Sequence, residues 1–456
     1  MGKTTEESTK FVTPRQEWYI TNASSAGQSG PCQRVAGHAA HVTGGNPEIM
    51  RRRRNFGRRQ RRDRPQRRNR PSSPPAPVSP DQLVDVTGAV ELMKDGNGFL
   101  RMAASSYLAN KSDPFIGQSL LRKWHVRDGA WIFGKAAPSA GRSNGSMRLH
   151  EIVKINGADP EKHLEIPEFR QLTSLDPDRR LVLETTPEEL STRAIDLLTP
   201  IGRGQRGLIV SPPKAGKTML LKAISLAITA NNPDIHQIIL LIDERPEEVT
   251  DMRRSVKGEV IASSSDGHAS EHVKVAEMAL EKSRRWLEYG QDVVILLDSL
   301  TRLGRAYNNQ VRGSGKILSG GVESTALQYP KRLFGAARNV EEGGSLTILG
   351  TVLVDTGSRM DEVIFEEFKG TGNMELILDR RLAERRVFPA IDIARSGTRK
   401  EEKLFSPEEL EAVHLLRRAF AKMDPLDAME KLLDRLKKTS SNKQFLESIR
   451  QAAGRG

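Results

Sequence analysis

Gly207-Leu208-Ile209-Val210-Ser211-Pro212-Pro213-Lys214-Ala215-Gly216-Lys217-Thr218 is the stretch that decides the fold. A short apolar run gives way to a loop of proline, lysine and glycine. The apolar periodicity from Met219 to about Ala230 then predicts a helix. Strand, loop and helix in that order make a phosphate cradle, because successive backbone N–H groups and the positive helix end converge on an anion. Lys217 is placed to reach β- and γ-phosphates, and the Thr218 hydroxyl to hold a Mg²⁺. Pro213, Lys214, Ala215 and Gly216 form the rest of the cradle, and Met219 follows it. Ser211 stands where the usual G-x-x-x-x-G-K-[ST] pattern has its first glycine, so the literal pattern fails by one residue. The plainer alternative is a buried strand ending in a basic turn.

Two further apolar runs end in acids. Val293-Val294-Ile295-Leu296-Leu297 delivers Asp298 to the C-terminal edge of a sheet, where ligands bind in open α/β folds, with hydroxyls following at Ser299 and Thr301. Asp298 is the natural partner for a Mg²⁺ held by Thr218. Ile238-Ile239-Leu240-Leu241-Ile242 ends in Asp243-Glu244-Arg245. There Glu244 is placed to polarise an attacking water, and Arg245 beside it is a further catalytic candidate. The alternative for Asp243 or Glu244 is that it only caps the next helix. Near-continuous Ile/Leu/Val strands separated by helical patterns, such as Glu271–Tyr289, imply a parallel sheet buried on both faces.

The chain of 456 residues has room for two or three domains. Its formal charge of +13 is concentrated: residues 51–70 hold twelve arginines against one aspartate, which leaves the remainder near neutrality. Such an arm suits nucleic acid, with a solvated charge run or a targeting signal as the alternative. Residues 1–80 lack large apolar groups and are expected to be disordered, ending in a proline-rich spacer. Met50, directly before the arginine run, is an alternative start. A single cysteine, Cys32, excludes an internal disulfide. No apolar run reaches the roughly 18 residues that span a bilayer and no secretory signal opens the chain, so no membrane role and a cytoplasmic protein are expected.

Between Leu83 and Ile166, short runs separated by turn residues predict strands at 88–93, 98–101, 130–133 and 149–155, with Asp95-Gly96-Asn97-Gly98 as a hairpin turn. These make a small closed barrel. Its aromatic and basic residues (Phe99, Arg101, Phe115, Arg122, Lys123, Trp124) suit a platform for single-stranded nucleic acid, with ordinary barrel core as the alternative. Ser406-Pro407-Glu408-Glu409 is a capping box, and Asp424-Pro425 opens a further helix.

Several blocks together resemble the Rho family of bacterial transcription termination factors. They are residues 212–218, Asp243-Glu244-Arg245-Pro246-Glu247-Glu248-Val249, Asp298-Ser299-Leu300-Thr301-Arg302-Leu303, and the stretches 330–345, 368–375, 386–392 and 395–402. The resemblance spans about residues 85–456, and that family uses no glycine at the Ser211 position. It implies a homohexameric RNA-dependent ATPase. The expected fold is an α/β RecA-like P-loop core with a mostly parallel sheet, preceded by a small all-β OB-fold or cold-shock-like barrel and the disordered basic arm. The expected boundaries are 1–80 arm, 81–166 barrel, 167–195 connector and 196–456 ATPase domain with C-terminal helices.

By the same resemblance ATP and Mg²⁺ are the cofactors. Lys214 and Lys217 contact phosphates, Phe388 and Met219 pack on the adenine, and Arg399 is an arginine finger reaching the neighbouring subunit, with Arg386 beside it. Pore loops at 312–321 and 355–359 carry Lys316 and Arg359 to RNA, the latter where relatives commonly have lysine. The implied partners are single-stranded nascent RNA and the RNA polymerase elongation complex. The barrel departs from the family as well: Asn97 replaces an aromatic, Leu149 replaces a stacking tyrosine, and Phe115 aligns with a further tyrosine. The helical module that usually precedes the barrel is not recognisable. The remaining alternatives are another RecA-like ring ATPase or helicase, or an RNA-binding protein with weak ATPase.

Overall fold

The computed structural model describes residues 82–139, 146–311 and 317–453. The basic arm, Cys32 and Lys316 lie outside them.

Strands β1 (Val84–Leu92), β2 (Gly98–Arg101), β3 (Phe115–Ile116), β4 (Trp131–Pro138) and β5 (Met147–Ile155) close a barrel in the order β1-β2-β3-β5-β4. The predicted hairpin joins β1 to β2. Asp95 Oδ1 accepts from the Asn97 N–H at 3.1 Å, and Gly96 takes a φ of +81° that a side chain would resist. Val90, Leu100, Ile116, Ile132, Ile152 and Ile155 fill the barrel. Strand β3 went unread in the sequence because two residues carry no period.

The larger sheet runs β11-β10-β12-β14-β9-β15-β16, with β9 (Arg206–Ser211), β10 (His236–Glu244), β11 (Glu259–Ser264), β12 (Asp292–Asp298), β14 (Ser345–Leu353), β15 (Met374–Ile377) and β16 (Gly397–Thr398). Six of these strands are parallel and only β16 runs against them. Two apolar cores, one on each face, explain why the strands read as unbroken Ile/Leu/Val runs. Between barrel and sheet lie β6 (Ser174–Leu175), β7 (Arg180–Leu181) and β8 (Ile201–Gly202); β13 (Arg338–Val340) pairs with β6 and β14.

The expected boundary at 195/196 falls inside a helix. Helix Leu190–Leu198 crosses it, with Thr192 to Leu198 all buried against the ATPase core. Its Arg193 is fully buried and donates to the carbonyls of Pro187, Leu436 and Thr439, which ties this helix to the C-terminal ones. Those helices start as expected. Ser406 and Glu409 form the capping box of Pro407–Phe420, and Asp424 caps Pro425–Leu436.

Candidate nucleotide site and nucleic-acid interface

Strand β9 ends at Ser211 and helix Lys217–Asn231 begins after Gly216, which has a φ of +87°. Only glycine suits Gly216, since a Cβ there would also fall 3.2 Å from Phe388 Cε1. No side chain caps this helix, so its first N–H groups face outward for an anion. Lys214 is exposed on the loop, itself at a φ of +66°. A cavity of ≈ 110 Å³ lies beside the loop, lined by Glu189, Ser191, Gly216, Met219, Ala223 and Phe388. Met219, 66% exposed, and Phe388 line this one hollow.

Asp298, at the end of β12, is buried, accepts from Thr351 Oγ1 at 3.0 Å and pairs with Lys217 Nζ. The cradle lysine and the strand-end acid therefore meet, next to Thr218. Among the described residues no three His, Cys, Asp or Glu gather as a metal cage. One carboxylate and one hydroxyl fit Mg²⁺, which keeps several waters and takes its other oxygens from phosphates. Ser299 and Thr301 are occupied elsewhere. Ser299 Oγ caps helix Leu300–Gln310, and Thr301 Oγ1 accepts from the Leu353 N–H at 2.8 Å.

A bulge between Ile242 and Glu244, with Asp243 at a φ of +56°, interrupts the β10–β11 register and re-aims Glu244. Glu244 is 3% exposed and its Oε2 has no hydrogen-bond partner, while Arg302 Nη2 stands 3.4 Å from Oε1. Burial, and then the charge of Asp298, push its pKa up to about 7 against the opposing pull of Lys217 and Arg302. The capping alternative fails, since helix Pro246–Ser255 starts at Arg245 with no side-chain cap. Arg302, which also donates to the Asp243 carbonyl, was missed as a site residue. Its place four residues after Asp298 is the signal that could have found it.

Arg245, Arg386 and Arg399 are exposed. Thr398 pairs with Met374, which pairs with Gly207, at the start of the strand whose far end carries the cradle. Four residues at about 3.3 Å each put Arg399 at least about 13 Å from its own phosphate loop along the strands. Arg399 therefore stands away from its own phosphate loop.

On the barrel, Phe99 and Phe115 pair across β2 and β3, edge to face at 5.6 Å, and both are partly exposed. Arg122 and Lys123 are exposed nearby, and the Lys123 ammonium sits 4.4 Å from the Trp124 ring. Arg148, unread in the sequence, places its guanidinium 5.6 Å from the Phe115 ring.

Arg101 departs from expectation. It is 6% exposed, bonded to Glu91 at 2.5 Å and Asp113 at 2.6 Å, and its guanidinium lies 4.9 Å from the Phe99 ring. With two carboxylates satisfying it, it props Phe99 instead of meeting phosphate. Leu149 is turned into the barrel core, and Asn97 spends its amide on Asp95 and on the Gln118 N–H. Neither stands in for a stacking ring. Arg359 is exposed at the start of helix Arg359–Lys369, whose backbone presses on Gly320, so the bases of the two expected pore loops touch.

Residues 86–161 match the RNA-binding domain of Rho termination factor, and residues 191–398 match the nucleotide-binding domain of the ATP synthase alpha/beta family. Transcription termination factor Rho of Pseudomonas aeruginosa is 54% identical over 367 residues, covering 80% of this chain and 87% of that protein. That of Haemophilus influenzae is 55% identical over 368 residues, with coverage of 80% and 87%. Among solved structures, a prototypical ATPase from the type III secretion system of pathogenic bacteria aligns with a TM-score of 0.51 at 24% identity, over 61% of this chain and 86% of that one. The ATPase EscN of enteropathogenic E. coli aligns with a TM-score of 0.50 at 22% identity, over 69% and 78%. Both agree with the fold of the nucleotide-binding domain. The barrel with its paired phenylalanines, the cradle with its acids and the extent of the identity lead to one conclusion: the chain belongs to the family of transcription termination factor Rho.

Proposed function

We propose that the protein is an ATP-driven ring motor that binds nascent RNA on its barrels, threads it through a central pore and terminates transcription. The observation that carries this reading is the convergence of Lys217, Asp298 and the proton-hungry Glu244 at one end of a parallel sheet.

Lys214, Lys217 and the open helix N-terminus bind the phosphates, and Met219 and Phe388 hold the adenine. Thr218 and Asp298 would hold Mg²⁺, which supplies neutralising charge to the phosphate oxygens when bound. Glu244 orients a water and takes its proton as the oxygen attacks the γ-phosphorus and ADP departs. Arg399 of the partner subunit stabilises the charge that develops, which makes hydrolysis depend on ring assembly, with Arg245 and Arg386 lining the same seam.

A route from this site to the pore supports translocation. Helix Leu300–Gln310 starts next to Asp298, and its Arg305 grips Asp361 by two bonds of 2.8 and 2.7 Å. Asp361 in turn accepts from Thr356 in the second pore loop at 2.7 Å. Lys316 and Arg359 would meet RNA there, and Phe99, Phe115, Arg122 and Lys123 would hold it on the barrel. The basic arm adds contacts to phosphates that read no sequence. Among the described residues no helix is long and apolar enough to cross a membrane, and work on nascent RNA beside RNA polymerase belongs in the cytoplasm.

ATP hydrolysis by the full chain, alone and with single-stranded RNA or DNA, tests this. Turnover stimulated by RNA and lost in Lys217→Ala is expected. Turnover indifferent to RNA would favour another kind of RecA-like ring ATPase.

A further inference from the structure

The barrel is seated on the ATPase core through a corner with unfavourable backbone geometry. Ser106 and Tyr107 take consecutive φ values of +50° and +63°, a conformation that side-chained residues rarely adopt and that persists only where its surroundings hold it. Ser106 Oγ accepts from the Ala262 N–H at 3.1 Å, so the corner satisfies a donor on the outer side of β11, the edge strand of the sheet. The Tyr107 hydroxyl donates to Glu259 at the start of the same strand.

Behind this corner, Lys282 of helix Ala269–Glu288 is completely buried. Its ammonium lies 2.6 Å from the Tyr107 hydroxyl and 2.5 Å from Glu259 Oε2. The rings of Tyr107, Trp131 and Trp286 surround it at 4.9–5.0 Å. Tyr107 and Trp131 come from the barrel side; Glu259, Lys282 and Trp286 come from the core. A buried cation is tolerated only when bonded and caged in this way. Removing one barrel hydroxyl therefore weakens a joint that the core cannot repair alone.

Both ends of the joint lead somewhere. Towards RNA, Lys274 of the same helix pairs with Glu91, which holds Arg101, which props Phe99. Towards ATP, Ser264 at the end of β11 pairs with Glu244, and Ser263 Oγ faces the Asp243 N–H at 3.4 Å across the bulge that aims Glu244. His272, near the start of that helix, stands 3.8 Å from Asp243.

We propose that Tyr107 and Lys282 are positioning residues of RNA-stimulated hydrolysis: through Ser106 and Glu259 they fix β11, so that RNA seated against Phe99 changes the placing of Glu244. This rests on the motor reading above and adds to it the joint by which the barrel addresses the catalytic acid. A joint of this kind acts on the stimulated rate. It leaves the RNA-binding face and the phosphate cradle as they are.

The test uses the full chain with Tyr107→Phe, which keeps the ring, and Ser106→Ala, with a labelled single-stranded RNA as probe. RNA affinity, ATP KM, turnover without RNA, turnover at saturating RNA and melting temperature are measured for each. RNA affinity and unstimulated turnover should stay within about twofold, while RNA-saturated kcat falls by roughly fivefold or more. An unchanged stimulated kcat in Tyr107→Phe overturns the proposal. So does a loss spread equally over RNA affinity, unstimulated turnover and melting temperature, which is what mere destabilisation produces. If the unaltered protein itself shows no stimulation by RNA, the motor reading falls and this proposal with it; that outcome is read from the unaltered protein alone.

Discussion

Replacing Glu244 by glutamine should cut turnover sharply and also stabilise the nucleotide-free protein above neutral pH. The carboxyl is 3% exposed, faces the charge of Asp298 and leaves Oε2 without a partner. Its pKa rises from 4.5 to about 7, so the folded protein holds that proton more tightly than the unfolded chain does. The associated stability is complete below the unfolded value and is lost as pH climbs through the folded one. At about 1.4 kcal/mol per pH unit, the ionised carboxylate costs at most about 3.5 kcal/mol above pH 7. Glutamine carries no charge and escapes the penalty. Thermal melting of the nucleotide-free protein at pH 5 and pH 8 should show the variant gaining on the unaltered protein as pH rises, by several degrees at the upper end. Its hydrolysis should fall by roughly 10²–10⁴-fold, and the kcat/KM of the unaltered protein should rise with pH through about 7. A melting difference that does not depend on pH, or a variant less stable at pH 8, would refute the assignment of a strained, poised base.

Rings mixed from Arg399→Ala and Lys217→Ala subunits should keep partial turnover, because some interfaces pair an intact cradle with an intact finger; complete inactivity in verified mixed rings contradicts the division of roles. Arg193→Ala should cost about 3–5 kcal/mol in thermal unfolding, since it strips three carbonyls of a buried cation, and limited proteolysis should cut first near Leu436 and Thr439. Phe99→Ala should weaken RNA binding by about 1–3 kcal/mol with little change in melting temperature. Arg101→Ala should lower both, because it leaves Glu91 and Asp113 short of a buried partner. Deleting residues 1–80 should lower RNA affinity and flatten its dependence on salt, measured by anisotropy titrations across ionic strengths; an unchanged slope would assign the arm to something else.

Residues with a local pattern were legible from the sequence. The apolar runs ending at Asp298 and Glu244, the Gly216-Lys217-Thr218 turn, the Asp95–Gly98 hairpin and the Ser406 cap all form as read, because each depends on neighbours in the chain. What escaped depends on distant partners. Arg101 alternates with aromatics as a phosphate contact would, yet Glu91 and Asp113 claim it across the barrel. Arg302 and Arg148 matter through which side chains they oppose, and no period records that. The connector looked merely charged because the partners of Arg193 lie more than two hundred residues away. Arg399 was assigned by resemblance alone; strand register shows only that it lies away from its own phosphate loop.

The central claim is that ATP hydrolysis by this ring drives RNA out of a transcribing polymerase. It is tested most directly by adding the purified protein to stalled elongation complexes carrying a labelled transcript and measuring RNA release. Release with ATP, absent with a non-hydrolysable analogue and absent with Glu244→Gln, is the predicted result. Release that proceeds equally with the analogue or with Glu244→Gln, or no release while RNA-stimulated hydrolysis is intact, would contradict it.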